Sequence, residues 1–223
     1  WIWDCEEDHG QLVYEGYPIR FVMMGLYDTV ASFGLPGKNL SNAVAYGGLK
    51  GRDLVANHHI ERVVHYVAGH ELRFSFPVDL IRRQGTLASG NWLERTYPGV
   101  HSDVGGGYAL DEQGVSNNYA RIPLRDMTRE AWIHGVRMWN YAEIEQRSAT
   151  IFQERYEVKP ETQAAFDAYC KAYGAFSGTI ESQMQRHMTQ MYNAYGSMHR
   201  AGKQNVTERM HAQGVSWSKL APT

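Results

Sequence analysis

The most constraining feature of the sequence is a short apolar run that ends in an acid. Residues 19–27 are apolar or glycine apart from Arg20, and Asp28 follows directly. Such a run predicts a β-strand buried on both faces, as in parallel sheets. Active-site crevices of open α/β sheets lie at the carboxyl ends of the strands, so Asp28 stands where an acid can orient a catalytic group. The alternative is that Asp28 caps the turn or helix that begins after it.

A second feature is a histidine surrounded by turn-forming residues. Pro98 and Gly99 precede His101, and three consecutive glycines occupy positions 105–107. Glycine permits positive φ and a close approach of the backbone to another group, so the stretch predicts a loop that presents its histidine. Imidazole is well suited to moving protons near neutral pH, which makes His101 a candidate general base. The alternative is a surface turn whose histidine only packs.

These two stretches, residues 25–34 and 98–108, resemble the acid and histidine motifs of the type VI secretion phospholipase effectors, a family of α/β-hydrolase enzymes. Three further stretches fit the same family in the same order, at residues 64–77, 92–94 and 119–127. The resemblance implies an α/β fold that forms part of an α/β-hydrolase, with a doubly wound, mostly parallel sheet. It also implies that Asp28 is the acid and His101 the general base of a Ser-Asp-His triad.

The serine of that triad has no counterpart in the sequence. An α/β-hydrolase nucleophile lies in a Gly-x-Ser-x-Gly elbow and precedes the acid and the histidine in the chain. This sequence contains no such elbow, and its serines beside a glycine all follow Asp28. Ser102 is a poor substitute, because neighbouring side chains of an extended segment point to opposite sides. Since the chain starts at Trp1 without a methionine, we expect the serine on an amino-terminal segment outside it.

The resemblance implies a phospholipase or carboxylic-ester hydrolase that acts as an antibacterial secreted effector. The implied partners are a phospholipid substrate at the target membrane surface, the amino-terminal segment that carries the nucleophile, a secretion spike and an immunity protein. We expect no cofactor and no bound metal.

Two functions of other classes stay open. One is a catalytically inert structural or binding fragment. The other is a metal-dependent hydrolase that uses His58, Glu61 and His65 as ligands. The alternating apolar residues at 65–68 favour a strand here instead of a metal-binding helix.

Composition restricts the remaining classes of function. The 223 residues are 43% hydrophobic and 21% charged, as in ordinary globular proteins. A formal net charge of −2 and the lack of a basic stripe argue against binding to nucleic acid. The sequence has no secretory signal and no uninterrupted apolar run that could cross a bilayer. We therefore expect a protein that is cytoplasmic in its producer and is exported without a signal peptide to the periplasm or membrane of a target cell.

Two regions are expected along the chain. Residues 1–141 are predicted to be the carboxyl-terminal portion of the catalytic domain, although the organisation of residues 1–17 is not evident. Residues 142–223 are predicted to be a helical region that serves as a lid or as an appendage facing a membrane or partner.

Apolar side chains at helical spacing predict how the helices pack. Trp132, Val136 and Trp139 predict an amphipathic helix over residues 127–141 that lies on the sheet. Helices are also predicted over residues 164–173 and 180–195, and the second carries a stripe at Met184, Met188, Met191 and Tyr195. This stripe favours packing on the catalytic domain, and the alternative is a lipid-facing lid.

Overall fold

The structure, a computed structural model, describes residues 6–30, 60–71, 78, 80–82 and 86–200. His58, the segment 72–77 and the tail 201–223 lie outside the described residues.

A parallel sheet forms the centre of the described structure. Its strands are β4 (Phe21–Tyr27), β5 (Ile60–Ala68) and β6 (Leu93–Tyr97), in the order β4-β5-β6. Both strand pairs are parallel. Because β5 lies between the other two strands, its residues 63–68 are all buried. The α/β class expected from the sequence is confirmed.

A small antiparallel sheet precedes the parallel one. It comprises β1 (Glu6–Asp8), β2 (Gln11–Tyr14) and β3 (Tyr17–Pro18). Two-residue turns join these strands, and each turn ends in a glycine. The four turn residues all have positive φ, the combination that a tight hairpin turn with the favoured twist requires. The segment whose organisation was not evident from the sequence thus forms two successive hairpins.

Helices and single helical turns make up most of the chain after β6. The α-helices are α1 (His101–Gly105), α2 (Arg121–Ile133), α3 (Tyr141–Arg147), α4 (Ala149–Arg155), α5 (Pro160–Tyr173) and α6 (Ile180–Arg200). Turns of 3₁₀ helix occur at Glu112–Gly114 and Asn118–Ala120. None of the helices among the described residues is both long and apolar enough to span a membrane. The predicted division of the chain at residue 141 stays a prediction.

Different parts of the chain cover the two faces of the parallel sheet. Helices α1, α2 and α5 contribute Val104, Ile122 and Phe166 to the larger core cluster, together with alternate residues of β5 and β6. Side chains alternate along a strand, so Val63 belongs to the opposite face. There it packs in a second cluster with Ile60, Ile81 and Trp92. The site residues therefore lie at the end of a sheet that has a core on each side.

Two packing predictions are wrong. Strand β4 was expected to be buried on both faces, yet its residues are half-buried and Gly25 is exposed. In the described residues β4 pairs with β5 on one side only, which explains this exposure.

The helix expected over residues 127–141 is also displaced. It ends at Ile133, because Gly135 adopts a φ of 84° just beyond the helix. Trp132 and Trp139 consequently lie on the surface, 47% and 54% exposed.

Helix α6 docks on β6 through a polar contact. Its buried residues include Gln183 and His187. Gln183 Oε1 accepts hydrogen bonds from the backbone N–H and the hydroxyl of Thr96, at 3.1 and 2.9 Å. His187 Nε2 lies 3.1 Å from the same hydroxyl. Met184, Met188 and Met191 are half-buried. The first half of α6 therefore packs on the sheet, the arrangement that the sequence favoured.

The buried histidine of this contact predicts a loss of stability in acid. Burial, with a smaller effect of His70 and Arg186, lowers the pKa of His187 from 6.5 to about 4. Between these values the unfolded chain binds the proton and the folded one does not, so the free energy of unfolding should fall as the pH drops from about 6.5 to about 4. Urea denaturation across this range measures the slope. His187→Gln should flatten it, and an unchanged slope in this variant would contradict the prediction.

Candidate active site

Asp28 is a buried carboxylate at the carboxyl end of β4. The residue is 1% exposed and has a φ of 39°. Its backbone N–H donates to the carbonyl oxygen of Tyr66 at 2.6 Å. Its side-chain Oδ1 accepts from the N–H of Ala68, in the last position of β5, at 2.8 Å. The acid is thus fixed by both its backbone and its side chain to the neighbouring strand.

The second carboxylate oxygen of Asp28 contacts His101. Asp28 Oδ2 lies 2.7 Å from His101 Nδ1, and 30% of the histidine side chain is exposed. A carboxylate accepts hydrogen bonds, so this contact assigns a proton to Nδ1 and leaves Nε2 as the basic nitrogen of the neutral ring. The structure therefore brings together the two residues that the sequence singled out. The predicted loop is in fact the start of helix α1, with His101 as its first residue.

Residues 69–71, after β5, are hydrogen-bonded to residues 97–101, after β6, and these bonds position His101. Gly69 N–H donates to the carbonyl of Tyr97 at 2.8 Å, and His70 N–H donates to the carbonyl of Gly99 at 2.9 Å. In return, the N–H of Gly99 donates to His70 Nδ1 at 3.0 Å. The N–H of His101 itself donates to Glu71 Oε2 at 3.1 Å. The hydrogen bonding of the parallel strands thus continues beyond their ends, as far as the histidine.

Asp103 shapes the turn into α1. Its Oδ2 accepts from the N–H of Val100 at 2.8 Å. The turn also needs a glycine at position 99, which has a φ of 121°. A Cβ atom added there would lie 2.7 Å from the Cβ of Asp103. Asp103 therefore shapes the loop through its contacts with Val100 and Gly99.

A buried hydrogen-bonded pair, His65 and Glu94, is part of the site that was missed from the sequence. His65 Nδ1 lies 2.9 Å from Glu94 Oε1, and both side chains are wholly buried. Glu94 also accepts from Ile81 N–H and Arg82 Nε, each at 2.8 Å. The N–H of Thr29 donates to His65 Nε2 at 3.2 Å. The pair therefore fixes the backbone immediately after Asp28.

A signal for this pair was present in the sequence. His65 stands between Val64 and Tyr66 in a run of strand-forming residues, and Glu94 follows Trp92 and Leu93 in a second short stretch. In the structure the two residues are register partners on adjacent parallel strands. A polar residue in each of two buried strands predicts that they pair with each other, because an unpaired buried charge is costly.

The proposed metal ligands do not converge in the described residues. Glu61 is exposed and makes a two-pronged contact with Arg20, at 2.7 and 2.9 Å. His65 is engaged by Glu94 and Thr29 as above. No group of three or more potential ligands among the described residues could hold a metal ion. The third proposed ligand, His58, lies outside them.

Two cavities border the segment that carries His101. One of about 670 Å³ is lined by residues that include Gly99 and Phe166. The other, of about 680 Å³, is lined by residues that include Gly107 and Arg121. One cavity thus borders Gly99, before His101, and the other borders Gly107, after it.

Comparison with known proteins places this geometry in a family. Residues 6–130, more than half of the chain, match the family described as the type VI secretion system phospholipase effector Tle1-like, catalytic domain. The chain belongs to this family. The matched range confirms the suspected resemblance and includes the two hairpins of residues 6–18 as well as Asp28 and His101.

A solved structure is also similar to this Tle1-like chain. It is the crystal structure of an uncharacterized protein from Pseudomonas aeruginosa, with 31% sequence identity and a TM-score of 0.61. The alignment covers 83% of this chain and 27% of the other. The chain therefore spans about a quarter of the length of that protein. No match was found among the curated proteins.

The strained turn before His101 yields a prediction about stability. Gly99→Ala places a side chain at a φ of 121° and against Asp103, so it should lower the free energy of unfolding by about 1–3 kcal/mol. Gly105→Ala is the matched control, because a Cβ atom at this exposed helical position meets nothing within 4 Å. Chemical denaturation of both variants measures the difference. Equal stability of the two variants would contradict the strain attributed to Gly99.

Proposed function

We propose that this chain supplies the acid and the base of a serine phospholipase, with Asp28 and His101 as two members of a Ser-Asp-His triad. The observation that carries the proposal is the 2.7 Å contact between a buried carboxylate and a partly exposed imidazole. Both residues follow the carboxyl ends of parallel strands, where open α/β sheets hold their active sites. Membership of a family of phospholipase effector catalytic domains supports the same assignment.

The proposed reaction is hydrolysis of a carboxylic ester of a phospholipid. His101 Nε2 takes the proton of the serine hydroxyl while the serine oxygen attacks the ester carbonyl carbon. His101 then returns this proton to the leaving alcohol, and a serine-bound acyl group remains. A water molecule, deprotonated by the same nitrogen, then attacks the acyl carbon; the bond to the serine oxygen breaks, the fatty acid leaves, and His101 returns the proton to the serine. Asp28 holds the ring in the required tautomer and stabilises the imidazolium that forms in each step.

The serine is proposed to lie upstream, on a segment outside this chain. The sequence lacks a Gly-x-Ser-x-Gly elbow, and the alignment covers only 27% of the similar solved protein. Strand β4 pairs with β5 on one side, and its half-buried residues suit a further parallel strand on the other. A strand there would bring its carboxyl end next to Asp28. This arrangement corresponds to an α/β-hydrolase, in which the elbow follows a strand of the same sheet.

The wider proposal is an antibacterial effector of type VI secretion. The protein passes from the producing cell to a target cell, and it meets its phospholipid substrate at the membrane surface of that cell. A secretion spike and an immunity protein are its proposed partners, and nucleic acid is not. Family membership is the support for this part of the proposal.

Substitution of the two residues tests the proposed triad. In the full-length protein, His101→Ala and Asp28→Asn should each lower kcat for a fluorogenic phospholipid by about 10³- to 10⁴-fold, because the general base or its orienting acid is lost. Addition of EDTA should leave the wild-type rate unchanged. Release of fatty acid and of the fluorescent product measures both effects.

Matched controls separate catalysis from general damage. His134→Ala removes a histidine that contacts Glu130, and Asp167→Asn removes an exposed acid, so both should keep the wild-type rate. Wild-type rates in His101→Ala would reject the triad. Loss of activity to EDTA alone would favour a metal-dependent hydrolase, and inactivity of the folded wild-type protein on all ester substrates would favour a structural or binding role.

A further inference from the structure

A chain of hydrogen bonds connects the turn before His101 to the two longest helices of the carboxyl-terminal region. The N–H of Gly99 lies 3.0 Å from His70 Nδ1. His70 Nε2 lies 3.0 Å from the hydroxyl of Tyr169 on α5. This hydroxyl lies 2.8 Å from His187 Nδ1 on α6, and His187 Nε2 lies 3.1 Å from the hydroxyl of Thr96. This series of hydrogen bonds starts at Gly99, two residues before His101.

The donors and acceptors of this chain can be arranged in one consistent direction. A backbone N–H can only donate, so His70 Nδ1 is an acceptor and the proton of the neutral ring lies on Nε2. His70 then donates to the oxygen of Tyr169, and Tyr169 donates to His187 Nδ1. His187 donates to Thr96, whose hydroxyl donates to Gln183 Oε1 at 2.9 Å. Every member has a partner when both histidines are neutral.

We propose that His70 is a positioning residue for His101, and that Tyr169 and His187 keep its ring in the tautomer and orientation that hold Gly99. The inference rests on the proposed function, in which His101 is the general base. It extends that function to the helical region, because α5 and α6 set the position of a base that lies on α1. His70 contacts the turn and does not contact the reacting atoms.

The packing around His70 leaves it little freedom. Its ring lies edge-on to the rings of Tyr169 and His187, with centroids 5.8 and 5.4 Å apart. The rings of Tyr169 and His187 are stacked at 5.6 Å. Gly69 completes the enclosure, since a Cβ atom there would lie 2.6 Å from the ring of His187. A rotation of the His70 ring would therefore displace neighbours on two helices.

The turn depends on the acceptor that His70 provides. Gly99 has a φ of 121°, a backbone conformation that is open to glycine and rare for other residues. Its hydrogen bonds to His70 hold it in this conformation. Its carbonyl oxygen already accepts from His70 N–H at 2.9 Å, so both polar groups of its backbone bind one residue. Loss of the side-chain acceptor would leave the N–H of Gly99 unpaired in a partly buried site. We expect the turn to shift, and His101 to move relative to Asp28.

Two variants of His70 separate its contacts. In His70→Asn, the amide oxygen takes the approximate place of Nδ1 and can still accept from Gly99. In His70→Gln, the amide nitrogen takes the approximate place of Nε2, so the contact with Tyr169 is kept and that with Gly99 is lost. In the full-length protein we expect kcat to fall about 10- to 100-fold in His70→Gln with KM unchanged, since small misplacements of a catalytic group have effects of this size. His70→Asn should retain most of the kcat.

Amide hydrogen exchange provides a readout that does not depend on activity. Peptides covering residues 97–105 should exchange faster in His70→Gln than in the wild type, and His70→Asn should be closer to the wild type. Tyr169→Phe, which removes the hydroxyl and keeps the ring, should raise exchange in the same peptides and lower kcat, although less than His70→Gln. This variant tests whether the helices act through His70.

The outcomes distinguish this inference from the proposed function. Inactivity of the wild type, or activity of His101→Ala, would reject the proposed function, while the exchange measurements would still test the positioning of the turn. Equal kcat and equal exchange in wild type, His70→Gln and His70→Asn would overturn the role of His70. A uniform loss of folded protein in both His70 variants, with kcat per folded molecule unchanged, would also overturn it, because it would indicate a structural role only.

Discussion

The contacts of the buried carboxylate of Asp28 are the interaction on which the site depends. A buried charge is tolerated only when hydrogen bonds replace its lost hydration. Asp28 obtains them from the N–H of Ala68 and from His101, so its ionised form needs both the end of β5 and the start of α1 in place. Strands β4 and β5 and helix α1 are thus joined at one side chain. The same contacts that stabilise the charge also set the tautomer of the histidine.

The buried pair of His65 and Glu94 fixes the backbone next to Asp28. Glu94 also accepts from Ile81 N–H and Arg82 Nε, and loss of any of its donors would leave part of a buried carboxylate without a hydrogen bond, which is costly. His65 also accepts a hydrogen bond from the N–H of Thr29 and so fixes the position of the residue after Asp28. Asp28 itself has a left-handed φ of 39°, which an ordinary residue adopts only when its surroundings impose it. The hydrogen bonds on both sides of Asp28 supply that constraint.

Asp28 and His101 could be predicted from the residues next to them in the sequence. The residues that hold them in place could not, because their contacts join distant parts of the sequence. An acid after an apolar run and a histidine beside glycines are visible in the sequence without knowledge of the fold. The contacts of His70 depend on residues about 100 positions away, which no local pattern encodes. The prediction over residues 127–141 failed for a related reason: the apolar spacing continues across Gly135, although its positive φ ends the helix. The backbone conformation of one glycine thus determines where this helix ends, whatever the spacing of the apolar side chains.

The polar contact of α6 with β6 limits how the helical region can work. Thr96, Gln183 and His187 satisfy one another while buried, and separating them without water would leave polar groups unpaired, at about 1–3 kcal/mol each. A lid that opened by lifting the first half of α6 would also release Tyr169 from His187 and so alter the turn that carries His101. We therefore expect this half of α6 to stay docked on the sheet. Under the proposed function, a segment that opens for the substrate would lie elsewhere, because α6 is hydrogen-bonded through Tyr169 and His70 to the turn before His101.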